Sequence, residues 1–419
     1  VLVTCATQLA GARTPHDEGK QKMTICDKAA TIAIAGQVAS TIFSERFLPH
    51  APVDNPAVVP PSAEAITTAW LTSVLCSQVG GARVVEVRVS RGDNGTSARR
   101  AIDVVYNDAG AAAGLPTKLF SKSTATIGSR MLLGVTGIAE GESVFYTYAR
   151  PDLKLRSPRA FYSGYDPKSY RSLLLLEDLT VRGWTFPDPM HNRIHRTDAE
   201  DMVTEMALYH GAMWDSPRFR TDLTALRPSL QWQENLNRKV GFEKRTLTGL
   251  ERAKHVVNAK LYAQKDKLYP AFMRSLALHQ NGPPTLLHQD LHLGNWLRDD
   301  NGQLGLYDWQ CVAKGSWALD YSYAIGGSLT TSDRREWQED LLRLYVEQLK
   351  QSGVVNAPSF DEAWLAYRQQ PMHALAFALF TLGGSRFEPE LQPEEYTLAS
   401  IERIAQHVTD LRSIEALQG

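Results

Sequence analysis

An α+β fold is predicted by three features: strand-type alternation packed into residues 83–123, helical spacing through most of the chain after Asp198, and one strong hairpin signal set inside that helical half. In order, Leu48 to Ser62 holds five prolines and reads as a linker or extended arm, which makes everything before it an N-terminal extension. Ser62 is placed to cap a helix running to about Gln78, with Glu64 in its first turn. Alternation from Arg83 to Ser90 predicts a half-buried strand. Gly92-Asp-Asn-Gly95 predicts a turn, and a second strand follows from Arg99 to Tyr106. Residues 109–114 read as a loop, and Thr117 to Ser123 as a third strand. Ile138 to Ala149 has helical spacing, and the apolar run Ser172 to Leu176 suits a buried strand.

Composition narrows the function classes. The 419 residues carry 45 basic against 46 acidic side chains, a net charge of −1, so no cationic surplus exists to hold a nucleic-acid backbone. No apolar run reaches the roughly twenty residues of a spanning helix. Cys5, Cys26, Cys76 and Cys311 are too scattered for a zinc knuckle or a CxxC pair. Together with an N-terminus that lacks the basic start of a secretory signal, they point to a reduced, cytoplasmic setting. Met23 precedes a plausible helix, so the first 22 residues are expected to be dispensable.

The chemistry is concentrated in Leu286-Leu-His-Gln-Asp-Leu-His-Leu-Gly-Asn-Trp296 and Leu304-Gly-Leu-Tyr-Asp-Trp-Gln310. A two-residue turn at Asn301-Gly302 would set Asn295 directly opposite Asp308, with Cβ atoms about 4.5–5.5 Å apart. An amide oxygen and a carboxylate are hard ligands that suit Mg²⁺ shared with phosphate oxygens. Asp290, on the loop entering this hairpin, is placed to accept or orient the proton of an attacking hydroxyl.

These motifs resemble the aminoglycoside phosphotransferase and choline kinase superfamily, whose fold is protein-kinase-like. Asp308-Trp-Gln310, Leu174-Leu-Leu-Glu-Asp-Leu179 and Leu208-Tyr-His-Gly-Ala-Met-Trp214 are more similar to its ecdysteroid-kinase-like branch. The resemblance runs from about Val84 to the C-terminus. It implies a bilobal molecule: extension and linker over 1–60, a small antiparallel-sheet lobe for the nucleotide over 61–178, and a mainly helical lobe with catalytic loop, metal and acceptor sites over 179–419. It also implies ATP and Mg²⁺ as cofactors and a small-molecule hydroxyl as acceptor. Lys122 would hold the α- and β-phosphates and Glu142 would fix Lys122 in place. The loop Ser90 to Ser97, with Asn94, Gly95 and Thr96, would cover the triphosphate. Glu177, Asp178 and Leu179 would form the hinge that reads adenine, and Asp320 would brace the catalytic loop. Gln289 departs from the pattern, since the family usually has glycine there.

Other readings compete. A pseudokinase would keep the fold without transfer, with Gln289 as its hint. A metal-dependent hydrolase would need His288, His292 and Asp308 on one ion. The pairs His288/His292 and His191/His195 have i, i+4 spacing, but neither lies on an evident helix, so zinc is not expected. His288 and His210 read as structural, and Trp214 as core. For the acceptor wall, Pro371 to Phe380 and Trp184 to Phe186 are candidates. Glu388, Glu390, Glu394 and Glu395 form the one late carboxylate run that an aminoglycoside-type site would need.

Overall fold

The computed structural model describes residues 25–48, 53–188, 190–191, 193–384 and 392–418. The first 24 residues, Glu388 and Glu390 lie outside this set. Five strands form one antiparallel sheet in the order β1-β2-β3-β5-β4: β1 Val84–Val89, β2 Ala98–Tyr106, β3 Lys118–Ser123, β4 Ala160–Asp166 and β5 Arg171–Glu177. The rest of the chain is mainly helical, so the molecule is a two-lobed α+β fold.

The apolar run of β5 is continuous because both faces of its strand are covered. Leu173 and Leu175 point into the small lobe's own core beside Trp70, Leu71 and Leu119. Leu174 and Leu176 point the other way, into the large core that joins the lobes. Trp70 sits on the helix Thr68–Leu75 and donates its indole N–H to the Val58 carbonyl at 3.1 Å. That helix is capped by Thr67, whose hydroxyl accepts from the Trp70 N–H at 3.1 Å, and not by Ser62. Ser62 instead precedes a short 3₁₀ turn, Ala63–Ala65.

Helix Ile25–Phe47 is fastened to this lobe by Gln37, which donates to the Lys168 carbonyl at 3.0 Å, and by the Glu45 carboxylate. Glu45 accepts from Arg130 at 2.8 Å and from Arg171 at 2.6 Å. Arg130 is fully buried and also donates to the carbonyls of Thr124 and Ser169, which satisfies a charge that burial would otherwise make costly.

Helix Ile138–Val144 runs on into a π-turn, Phe145–Ala149, over the sheet face that carries Leu174. The large lobe is built around Arg196–Ala212, Trp317–Ser328, Pro371–Leu382 and Glu394–Asp410. Trp317–Ser328 is buried on every side, so it shows no amphipathic stripe. No helix among the described residues is long and apolar enough to cross a membrane.

Buried histidines make this lobe acid-sensitive. His373, wholly buried on Pro371–Leu382, donates Nε2–H to the Gln289 carbonyl at 2.8 Å, and burial lowers its pKa to about 4. Burial also depresses His407 well below the ordinary histidine value. Between pH 6.5 and 4 the unfolded chain takes these protons and the folded chain does not, so stability falls as pH drops, by about 1.4 kcal/mol per pH unit for each such histidine. Urea titrations at pH 7 and pH 5 should show the midpoint falling at the lower pH. His373→Gln should flatten that fall by about one proton's worth, and a slope equal to wild type would contradict the assignment to His373.

Candidate active site between the lobes

The catalytic segment enters on β6 Thr285–Leu287 and passes through His288-Gln-Asp290 into the hairpin β7 Trp296–Arg298 and β8 Leu304–Leu306. The hairpin differs from the expected one by one residue. Trp296 pairs with Leu306 and Arg298 with Leu304. The turn spans three residues, closed by the Asp299 N–H donating to the Gln303 carbonyl at 2.9 Å, with Gly302 at φ +81°. This is the three-residue hairpin whose last loop residue must be left-handed. Asn295 therefore does not face Asp308; its carbonyl accepts from the Tyr307 N–H at 3.1 Å. Asp308 leaves the strand with φ 60° and ψ 60°, a conformation aspartate tolerates better than most residues, and so is turned back toward the lobe interface.

Despite the altered register, Asp290, Asn295 and Asp308 line one cavity of about 790 Å³ between the lobes. Asn295 Nδ2 donates to the Asp290 carbonyl at 2.8 Å and to its carboxylate at 3.3 Å, which leaves the Asn295 amide oxygen as the atom available to a cation. Asp290 also accepts from the Tyr323 hydroxyl at 3.2 Å. Lys122, almost fully buried, reaches Glu142 at 2.8 Å, Asp308 at 2.5 Å and the Gln310 amide oxygen at 3.3 Å. Burial opposes its charge, but the two carboxylates outweigh burial and hold the amine above the ordinary lysine value. Burial also pushes Asp308 up, yet the Lys122 charge and hydrogen bond, with Arg99, hold it below the usual carboxylate range. Glu142 is raised by burial.

The loop is held open by buried polar contacts. Asp320, wholly buried, accepts the N–H groups of His288 at 2.7 Å and Gln289 at 2.9 Å and the Tyr209 hydroxyl at 2.7 Å. This is the bracing contact expected of it. Gln289 sits at φ 66°, which accounts for the glycine usual in the family, and its side chain donates to the Cys311 carbonyl at 2.8 Å. His288 is structural: Nε2 lies 2.9 Å from the Tyr307 carbonyl and Nδ1 accepts from the Asp290 N–H. His292 Nδ1 accepts from the Gly294 N–H at 3.1 Å, and burial lowers its pKa. Among the described residues, no three ligating side chains gather as the hydrolase reading would require.

Glu177, Asp178 and Leu179 line the cavity at the hinge, with Thr96 from the loop above. Asn94 and Gly95 are not brought to it. Asn94 accepts from Arg100 at 2.9 Å, and the Gly95 N–H is turned to the Asp93 carboxylate at 3.3 Å. The loop reaches the cavity through Asp93 and Thr96 instead. Sequence reasoning missed Arg99 and Tyr323, which also line it. Of the expected acceptor wall, Phe186, Phe377, Ala378 and Phe380 are present, whereas Trp184 packs on Leu297. Glu394 and Glu395 open the helix Glu394–Asp410 and are not among the lining residues.

Oxygen donors suited to a divalent cation are therefore in place: Asp308 and the Asn295 amide oxygen. The lining acids Asp93, Glu142, Glu177, Asp178, Asp290 and Asp308 also outnumber the lining cations Lys122 and Arg99, so a polyphosphate needs added positive charge to enter.

No curated protein sequence matches the chain. Solved structures similar to it include a choline kinase from Cryptosporidium parvum Iowa II, at 14% identity, covering 79% of this chain and 91% of that one, with a TM-score of 0.49. The choline kinase LicA from Streptococcus pneumoniae is 13% identical, covering 78% and 94%, at 0.43. A macrolide 2′-phosphotransferase from Brachybacterium faecium is 14% identical, covering 80% and 96%, at 0.39. Residues 150–358, which hold the hinge, Asp290, Asn295, Asp308 and Asp320, match the model of the phosphotransferase enzyme family. Over these residues, just under half of the chain, the sequence is similar to the phosphotransferase enzyme family.

Proposed function

We propose that this small-molecule kinase transfers the γ-phosphoryl group of ATP to a hydroxyl on a bulky, uncharged, largely apolar molecule. The observation that carries this reading is one continuous cavity with two chemically distinct ends. At one end are Lys122, Glu142, Asp308 and the hinge. At the other the wall is Trp232, Leu236, Val240, Phe242, Phe377, Phe380 and Ile404, and Asp290 lies at the junction. Every acid that lines the cavity among the described residues belongs to the loop, the hinge or the catalytic segment, or is Glu142, which pairs with Lys122. An aminoglycoside would place several ammonium groups against hydrocarbon, at several kcal/mol each without partners. An apolar ring system fits the same wall by area alone. The motifs Asp308-Trp-Gln310 and Leu174-Leu-Leu-Glu-Asp-Leu179 support placing the chain on the ecdysteroid-kinase-like branch, and buried, unpaired Cys76 and Cys311 suit a reducing cytoplasm.

In this mechanism Asp290 accepts the hydrogen bond of the acceptor hydroxyl and takes its proton as the new bond forms. Tyr323 and Asn295 fix the carboxylate's direction. Lys122, held by Glu142, offsets phosphate charge. Mg²⁺ bound by Asn295 and Asp308 would neutralise charge on the phosphate oxygens. Gln289 occupies the glycine-like position with its N–H on Asp320 and its side-chain N–H on the Cys311 carbonyl, and Asp290 still lines the cavity, which favours transfer over a pseudokinase.

A panel of choline, an aminoglycoside and lipophilic polycyclic alcohols, each incubated with Mg-ATP, tests this directly. Mass spectrometry should detect a gain of about 80 Da, one phosphoryl group, on a lipophilic alcohol. Transfer to choline or the aminoglycoside alone would overturn the acceptor class. ATP binding with no transfer or hydrolysis would favour the pseudokinase.

A further inference from the structure

Arg99 lies directly opposite Lys122 in the β2–β3 pairing. Residues directly opposed in an antiparallel pair present their side chains on the same face. Both line the interlobe cavity. Their environments differ. The Lys122 side chain keeps 7% of its exposure and is committed to two carboxylates, whereas that of Arg99 keeps 37% and stands at the cavity mouth. The Arg99 guanidinium is 3.9 Å from Asp308 and 3.6 Å from Asp93. Both separations exceed a hydrogen bond, so the attraction is electrostatic and the N–H donors are left for another acceptor. Its neighbour Arg100 makes the contrast: that guanidinium is spent on Glu64, Asn94 and two main-chain carbonyls.

On the reading of the cavity as an ATP site, we propose that Arg99 is a phosphate-binding residue that grips the terminal phosphates from β2, while Lys122 serves the inner ones. The planar fork of a guanidinium matches two oxygens of one phosphate, which a lysine cannot do. Its place beside Asp308 sets it where charge accumulates during transfer. There the acceptor oxygen bonds to the γ-phosphorus as the bond to the β–γ bridging oxygen breaks. The bridging oxygen departs with the electron pair as ADP, and the hydroxyl proton goes to Asp290. A cation supplied from within the chain at this point acts on the transition state as well as on the bound nucleotide.

The test is calorimetric binding of ATP, ADP and AMP, each with Mg²⁺, to wild type, Arg99→Met and Arg99→Lys, with unfolding midpoints measured in parallel. Arg99→Met should weaken ATP by about tenfold or more, as expected for a lost charge-assisted hydrogen bond, and leave AMP within about twofold. Arg99→Lys should recover part of the ATP affinity. Unchanged ATP binding, or equal loss for ATP and AMP at an unchanged midpoint, overturns the assignment while the ATP reading stands. Wild-type protein that binds none of the three overturns both.

Discussion

Asp290→Asn is expected to lower turnover by about 10²–10⁴-fold while leaving Mg-ATP affinity within a few-fold of wild type, because a positioned acid–base group contributes that much to proton transfer. The amide keeps the side chain's size and can still meet the Tyr323 hydroxyl, which lies 3.2 Å from the wild-type carboxylate. The loop should hold, since Asp320 secures it through the His288 and Gln289 N–H groups and does not depend on Asp290. Single-turnover rates with an acceptor that the wild-type protein phosphorylates, together with ATP titrations, separate the two effects. A rate within about threefold of wild type would remove Asp290 from the chemistry.

Asp308→Ala is expected to abolish the gain in ATP affinity that Mg²⁺ provides, and activity with it. Asp308 is held ionised by Lys122 and Arg99, so at neutral pH it is a ready oxygen ligand. Its loss leaves Lys122 with Glu142 at 2.8 Å, so the lysine keeps a buried partner and the lobe should stay folded. Titration of ATP with and without Mg²⁺ reads the effect. An undiminished Mg²⁺ dependence would remove Asp308 from the metal site.

How far the sequence revealed this arrangement depends on which physical signal each residue left. β1, β2, β3 and β5 were legible because alternation and a continuous apolar run reflect faces that are in fact buried or, in β1, half-buried. β4 was not, since Ala160-Phe-Tyr-Ser-Gly-Tyr-Asp166 mixes polar and small residues into an edge strand and matches no period. Asn301-Gly302 marked the reversal correctly but not its length. The choice between a two- and a three-residue loop shifts pairing by one residue and reverses which side chains face each other. The site survives that shift because Asp308 leaves the ladder through a left-handed residue, a conformation that pairing rules do not anticipate.

Arg99 was hidden for a different reason. An arginine in an alternating strand ordinarily points to solvent, and only the register opposite Lys122 turns it toward the cavity. Tyr323 lies in a helix buried on all sides, where periodicity distinguishes no face. The reversal was expected at Gly92–Gly95, whereas Asn94 already pairs with Ala98 and the chain reverses at 95–97, and contacts with Asp93 and Arg100 decide which of these residues reach the cavity. Gln289 stood out as a departure from glycine, and the reason appears only with its φ of 66° and its bond to the Cys311 carbonyl.

The most direct measurement replaces Mg²⁺ with Mn²⁺ and follows the free ion by electron paramagnetic resonance as ATP is added. Wild-type protein should bind Mn²⁺ at about one equivalent only when ATP is present, and both Asn295→Ala and Asp308→Ala should release it. Tight binding of the ion without nucleotide, or full retention in the two variants, would contradict a phosphate-bridging metal held by those two oxygens.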